Sequence, residues 1–217
     1  KAEGILRALL HRNFFIYQEG SSFRYHPLFR DFLLRAARQE WPAEQLTRLQ
    51  VKAAELLLQR HEPDLALPLL RAAGDWQRFS TVLLELAPAM MAQGRHRELE
   101  KYLRTLPDSF RQGSPWPDFW LAAALLPSDR AASYSAFSAV YDRFRAENDQ
   151  RGTVLAWLGA VDAVILSLSD ARRLDTWLEH YERLAADNWL PPEDHPLSGQ
   201  LTSRLLIISI LRRPDHP

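Results

Sequence analysis

Along most of this chain apolar residues recur every three to four positions, so the pattern predicts helix after helix, with one exception near the amino terminus. The stretch 64–106 shows the device in compressed form. Leu65, Leu69, Leu70 and Ala73 share one helical face that stops at Gly74; Asp75 opens the next helix as an N-cap residue, and Gly94 ends that one. The predicted helices cover residues 2–12, 28–39, 43–60, 63–73, 75–92, 95–106, 117–126, 129–147, 150–168, 170–187 and 197–212. Pro88 falls inside one of them and predicts a kink or an early end near Glu85. Gly113, Pro115 and Pro117 predict a long loop over 107–117.

The exception has a period of two. Phe14 to Tyr17, then a polar turn over Glu19, Gly20, Ser21 and Ser22, then Phe23, Arg24 and Tyr25 predict a β-hairpin. A lone hairpin is not stable by itself. It must pack on the flanking helices, and helix, hairpin, helix is the order in which a winged-helix domain finishes. Pro27 suits the first position of the helix that follows, whose stripe of Leu28, Phe29, Phe32, Leu33 and Ala36 is expected to be buried; Trp41-Pro42 ends it.

The later helices repeat. Residues 141–148 align with 181–188 at an offset of forty, tyrosine on tyrosine and asparagine on asparagine, and Phe137 falls on Trp177. A helical pair of that length buries one apolar stripe internally and leaves another for the next pair to cover, which is the logic of helical-repeat proteins. Residues 150–168 are apolar around most of the helix circumference and should be covered on two sides. The expected fold class is therefore all-α: a right-handed, tetratricopeptide-like superhelix over 43–217, preceded over 1–41 by the carboxy-terminal part of a winged helix with one short hairpin. Both chain ends read as cut through a larger protein, since the first residues are already inside a helix pattern and the last helix is strongly apolar.

Composition narrows the functional classes. Lys+Arg and Asp+Glu both total 27, so no global field draws in nucleic acid or an anionic membrane. Residues 1–60 hold ten Lys/Arg against six Asp/Glu, and no direct nucleic-acid contact is expected of them. With no cysteine there is no disulfide, thiolate nucleophile or cysteine-ligated metal. No apolar run approaches the ~18 residues of a membrane span and no signal pattern opens the chain, so a cytoplasmic location is expected.

Catalytic patterns are missing: there is no G-x-x-x-x-G-K-[ST], G-x-G-x-x-G, H-E-x-x-H or G-x-S-x-G, so no enzyme activity, cofactor or metal is expected in this segment. His61, Glu62 and Asp64, and Glu193, Asp194 and His195, bring metal-capable side chains together, but in turns where acids are expected as helix starters. Aromatic residues crowd the second half. Trp120 and Trp157 lie on the first helix of successive pairs, and with Tyr134 and Trp177 they are the candidate anchors for an effector or peptide, because large rigid rings with one donor suit such contacts. The competing reading is that these rings fill gaps between helices.

The residues Tyr25 to Leu33, with Arg24 before them, resemble the R-x-H-P-L-F-R-x-[FL]-L motif that follows the wing in MalT/LuxR-type transcription activators. Ala72 to Trp76 resembles the A-G-D-W turn of that family's first repeats, and Tyr102 to Asp108 its W-L-x-x-L-P motif, with Tyr102 where tryptophan is usual. The resemblance implies an NTPase module, a winged helix, a superhelical sensor arm and usually a DNA-binding module. This chain would then be the middle of such a regulator, with ATP bound elsewhere in the parent protein. Its repeats would receive a small-molecule effector or protein partner, and His26, Phe29 and Arg30 would form the lever to the NTPase module. The rival is a stand-alone helical-repeat adaptor that scaffolds protein partners.

Overall fold

A computed structural model describes residues 2–12, 15–20, 22–167 and 171–212. Among these it is helical apart from one hairpin, and it forms two compact units, Lys1–Asp75 and Trp76–Pro217. Phe14, Ser21 and Leu168 of the expected pattern lie outside the described residues.

The first unit contains α1 (Ala2–His11), β1 (Ile16–Glu19), β2 (Ser22–Tyr25), α2 (Pro27–Glu40), α3 (Ala43–Gln59) and α4 (Pro63–Ala73). The strands pair antiparallel with Ile16 opposite Tyr25 and Glu19 opposite Ser22, and Gly20 turns the chain at φ 60°. The stripe of α2 is amphipathic as expected but open. Phe29 packs on Phe15 and Tyr25 at 5.4 and 5.9 Å, whereas Leu28 is 73% and Phe32 59% exposed. The hairpin covers the first turn of α2, and α3 follows through Trp41-Pro42, so among the described residues much of the stripe is left open within the unit. Helices α3 and α4 close on each other around Ala54, Ala66, Leu67 and Leu70.

The second unit contains α5 (Trp76–Ala92), α6 (His96–Arg104), α7 (Asp108–Gln112), α8 (Trp116–Leu125), α9 (Arg130–Ala146), α10 (Gln150–Ser167), α11 (Arg173–Ala186) and α12 (Pro196–Arg212). Helix α5 continues through Pro88 instead of ending near Glu85. Pro88 is exposed, so the carbonyl its ring leaves unpaired can face water, while Ala87 and Met90 hold the other side in the core. The 107–117 segment, expected as a loop, contains the short helix α7. Its terminal carbonyls are met from far along the chain: Arg143 donates to the backbone oxygens of Arg111 and Gln112 at 2.9 and 3.2 Å.

Five helix ends share one construction. Gly74 and Gly94, and also His61, Asn148 and Asn188, take a left-handed conformation just past a helix. After each, the next N–H reaches back to a carbonyl inside the last turn: Asp75 to Leu70, Arg95 to Met90, Glu62 to Leu57, Asp149 to Phe144 and Trp189 to Leu184. The forty-residue offset is thus a repeat of structure, since Asn148 and Asn188 close equivalent turns at φ 57° and 56°.

The core of this unit centres on α9 and α10. Phe137 and Phe144 stand one above the other on α9, and opposite them α10 carries Gly159 and Gly152. A Cβ at either glycine would overlap the facing ring. Trp157, on the same helix, is fully buried and donates its indole N–H to the backbone oxygen of Trp177 at 2.7 Å. Ion pairs tie the periphery: Asp118 joins Arg111 and Arg143 at 2.8 and 2.7 Å, Asp162 receives Arg204 at 2.8 Å, and Asp187 receives Arg145 at 2.7 Å.

Where α9 meets α11 the core is partly polar. The rings of Tyr141, Trp177 and His180 lie within 4.7–5.3 Å of one another. Tyr141 Oη, Arg145 Nη1, Trp177 Nε1 and His180 Nδ1 are buried there without a hydrogen-bond partner of good geometry among the described residues, although the Arg145 guanidinium lies close enough to Tyr141 to favour its ionised form. Burial raises the Tyr141 pKa above the ordinary value. Burial likewise holds His180 below the ordinary 6.5, with Arg183 and Arg145 acting in the same sense and Asp142 and Glu179 opposing.

Two measurements check this packing. Gly159→Ala and Gly152→Ala should each lower the unfolding midpoint, since forcing a methyl into a filled core costs about 1–3 kcal/mol; Gly199→Ala, where a Cβ meets nothing within 4 Å, should hold or raise it. Equal midpoints for all three variants would contradict the close approach of α9 and α10. His180 gains a proton less readily in the folded chain than in the unfolded one. Its contribution is therefore present above pH 6.5 and lost as pH falls below that value. The difference in midpoint between pH 7.5 and pH 5 should shrink in His180→Gln, and an unchanged difference would rule the effect out.

Candidate functional site

In Trp76–Pro217 the helices α5, α8, α10 and α12 form one row, each packed on the next, while α6, α9 and α11 pack against that row. The residues of α5 at 81, 84, 85 and 88 fall at helical spacing and so share a face. Trp116 and Trp120 of α8, four apart, do the same.

Three hollows lie along the row and share walls. The first, about 450 Å³, lies between Gln77, Ser80, Thr81 and Leu84 of α5 and Ser109, Phe110, Gly113, Ser114 and Pro117. Thr81 and Leu84 also border the second, about 420 Å³, which is completed by Glu85, Pro88, Trp116, Trp120 and Arg151. Arg151 borders the third as well, about 260 Å³, with Trp189, Leu190, Pro191, Pro192, His195 and Leu197 among its walls. The result is a groove with hydroxyl and amide groups at one end, indoles in the middle and a proline-rich apolar wall at the other.

Its charges are few. The Arg151 guanidinium lies over the Trp116 ring, 6.0 Å from its centre, and has no carboxylate partner among the described residues. Glu85 faces the same hollow and is exposed. A separate hollow of about 440 Å³ around Asp108, Gln112 and the Asp118 ion-pair network is charged, but there Asp118 is already committed to Arg111 and Arg143.

The four candidate anchors separate. Trp120 lines the groove and is half-buried. Tyr134 is half-buried outside it, with the Arg173 guanidinium 4.7 Å over its ring. Trp157 and Trp177 are at 0% and 2% exposure, inside the core and joined by the indole hydrogen bond, so their rings fill the space between helices. Trp116, Arg151 and Trp189 also line the groove. Trp116 and Trp189 belong to the crowd of aromatic residues legible in the sequence, without being among the four anchors; Arg151 follows a helix stop and gave no signal.

In the first unit the structure brings His26 and Phe29 together around a hollow of about 250 Å³ that they share with Phe15, Leu28 and Phe32. The His26 backbone N–H donates to the Phe15 carbonyl at 2.6 Å, and its side chain makes no cap hydrogen bond to α2. Arg30 is not in that wall; it is exposed and pairs with Asp31 at 3.2 Å. His61, a metal-capable candidate, is the left-handed residue that closes α3, and His195 Nδ1 accepts from the Leu197 N–H at 3.1 Å. Among the described residues no three His, Asp or Glu side chains are grouped as a metal site would need, and no helix is long and apolar enough to cross a membrane.

Comparison with known proteins bears on the first unit. Searches among curated proteins and among solved structures find no match. Residues 1–45 match the family model of the MalT winged helix domain, which spans the segment from α1 through the hairpin and α2 to the start of α3, and this supports a MalT-like origin for the amino-terminal part of the chain.

Proposed function

We propose that this chain is a non-catalytic regulatory segment of a multi-domain, cytoplasmic bacterial transcription regulator. Its helical array receives an effector or protein partner, and the winged-helix segment passes the event to an NTPase module that binds ATP elsewhere in the parent protein. The match of residues 1–45 to the MalT winged helix carries the reading. The open groove in the same chain supports it by supplying a surface on which binding can occur. Trp120 is the anchor this reading retains; Trp157 and Trp177 contribute by holding the helices that form the groove.

The mechanism is a shift of populations. A ligand changes the balance between resting and active assemblies only through its difference in affinity for them; a shift from 1:99 to 99:1 requires about a 10⁴-fold preference. The open stripe of α2, with Leu28 and Phe32 exposed, gives the lever an apolar surface, and Arg30 adds a charged edge beside it.

The parent reading frame tests this first: it should encode a Walker A motif before this segment and a DNA-binding module at either end, and flanks holding only further repeats would replace the regulator with the adaptor. Arg30→Glu in the parent protein should leave effector affinity within about twofold, because Arg30 lies in the other compact unit from the groove, while reducing the effector-dependent change in NTP turnover. Full coupling in that variant removes Arg30 from the lever.

A further inference from the structure

We propose that the seam between α9 and α11 is a binding site for one internal water molecule, which accepts hydrogen bonds from Arg145 Nη1 and Trp177 Nε1 and donates to Tyr141 Oη and His180 Nδ1. The site lies apart from the groove, and the inference does not depend on the proposed function.

Placement is the first argument. Tyr141 and Arg145 stand four apart on α9, and Trp177 and His180 three apart on α11, so each pair shares a face of its helix. The ring centres of Tyr141, Trp177 and His180 lie 4.7–5.3 Å from one another, and the Arg145 guanidinium is close enough to Tyr141 to act on its ionisation. One polar atom from each of the four is thus gathered at one seam, with Tyr141 and Trp177 only 1% and 2% exposed. Buried polar groups in folded chains are nearly always hydrogen-bonded, and internal water is the usual partner where the protein offers none. Among the described residues none is offered here with good geometry.

The balance of donors and acceptors is the second. A guanidinium N–H and an indole N–H can only donate, whereas a phenol oxygen and an imidazole nitrogen can also accept. A water molecule has two lone pairs and two protons. It satisfies all four atoms at once if His180 is neutral and carries its proton on Nε2. Burial favours the neutral forms of both His180 and Tyr141.

Charge and size are the third. Arg145 already donates Nη2 to Asp187 at 2.7 Å and lies 5.1 Å from the centre of the Trp189 ring. Arg183 faces Glu179 at 3.6 Å, and around His180 the two arginines are opposed by Asp142 and Glu179. Neither arginine of the seam lacks a counter-ion, so nothing there selects an anion. Rings this close also leave no space for an organic solute.

The test is a high-resolution crystal structure of the 217-residue chain, joined to two measurements in solution. The expected density is one water peak at about 2.7–3.2 Å from Trp177 Nε1 and from at least two of the other three atoms. Long-range proton–nitrogen correlation spectra at pH 7.5 should show His180 protonated on Nε2. Tyr141→Phe should lower the unfolding midpoint by roughly 2–4 °C; a hydroxyl without any partner would instead be relieved by its removal, and the midpoint would hold or rise. An empty seam in which Tyr141 and Arg145 bond directly, a His180 proton on Nδ1, or a midpoint that holds or rises in Tyr141→Phe overturns the proposal. Crystals grown in bromide exclude the remaining occupant: an anomalous bromide peak among the four atoms would replace the water with an anion.

Discussion

The second unit depends on the insertion of two phenylalanine rings of α9 into the gaps left by two glycines of α10. Phe144 fills the space at Gly152 and Phe137 the space at Gly159, so the two helices approach more closely than any residue with a Cβ would allow. That approach brings Trp157 under α11, where its indole meets the Trp177 carbonyl, and sets the position of Arg151 at the start of α10. A filled core of this kind has few alternative packings. The groove residues on α8 and α10 are therefore held by the core before any ligand arrives, which reduces the ordering that binding must impose.

The helix stops serve the same end by a different route. In each unit a helix is placed by the direction in which the preceding one ends, and five turns use a left-handed residue followed by a backbone bond into the last turn. In four of them the residue that accepts that bond, Leu70, Met90, Phe144 or Leu184, is also fully buried. One position thus ends the helix and anchors it. Glycine occupies two of the five, asparagine two and histidine one, and the non-glycine cases carry some strain that the packing offsets.

What was legible in the sequence follows from range. Helical periodicity, the glycine stops and the hairpin alternation are local, and each observed helix from α2 to α12 other than α7 lies within a few residues of its predicted span. The forty-residue echo was legible too, because the same turn needs the same residues. Helix α7 was not, since its carbonyls are satisfied by Arg143, more than thirty positions away. Nor was the uninterrupted course of α5: a proline predicts its own defect, but whether the defect faces water or core depends on the neighbours. The stripe of α2 was legible as a pattern and not as a burial, because amphipathicity says which face seeks a partner without saying that one is present.

Tryptophan shows why the site was harder to read than the fold. Trp120 and Trp157 both stand on first helices of successive pairs, and by composition they are the same candidate. They differ in what surrounds the helix that bears them. Helix α10 is packed by α8, α9, α11 and α12, so a ring on its inner faces has nowhere to go but the core. Helix α8 presents the face of Trp116 and Trp120 to the groove and sends Phe119 to the core instead. The side of the helix on which a ring falls, and not the number of helices packed against it, thus decides whether an aromatic residue is enclosed or left at the surface.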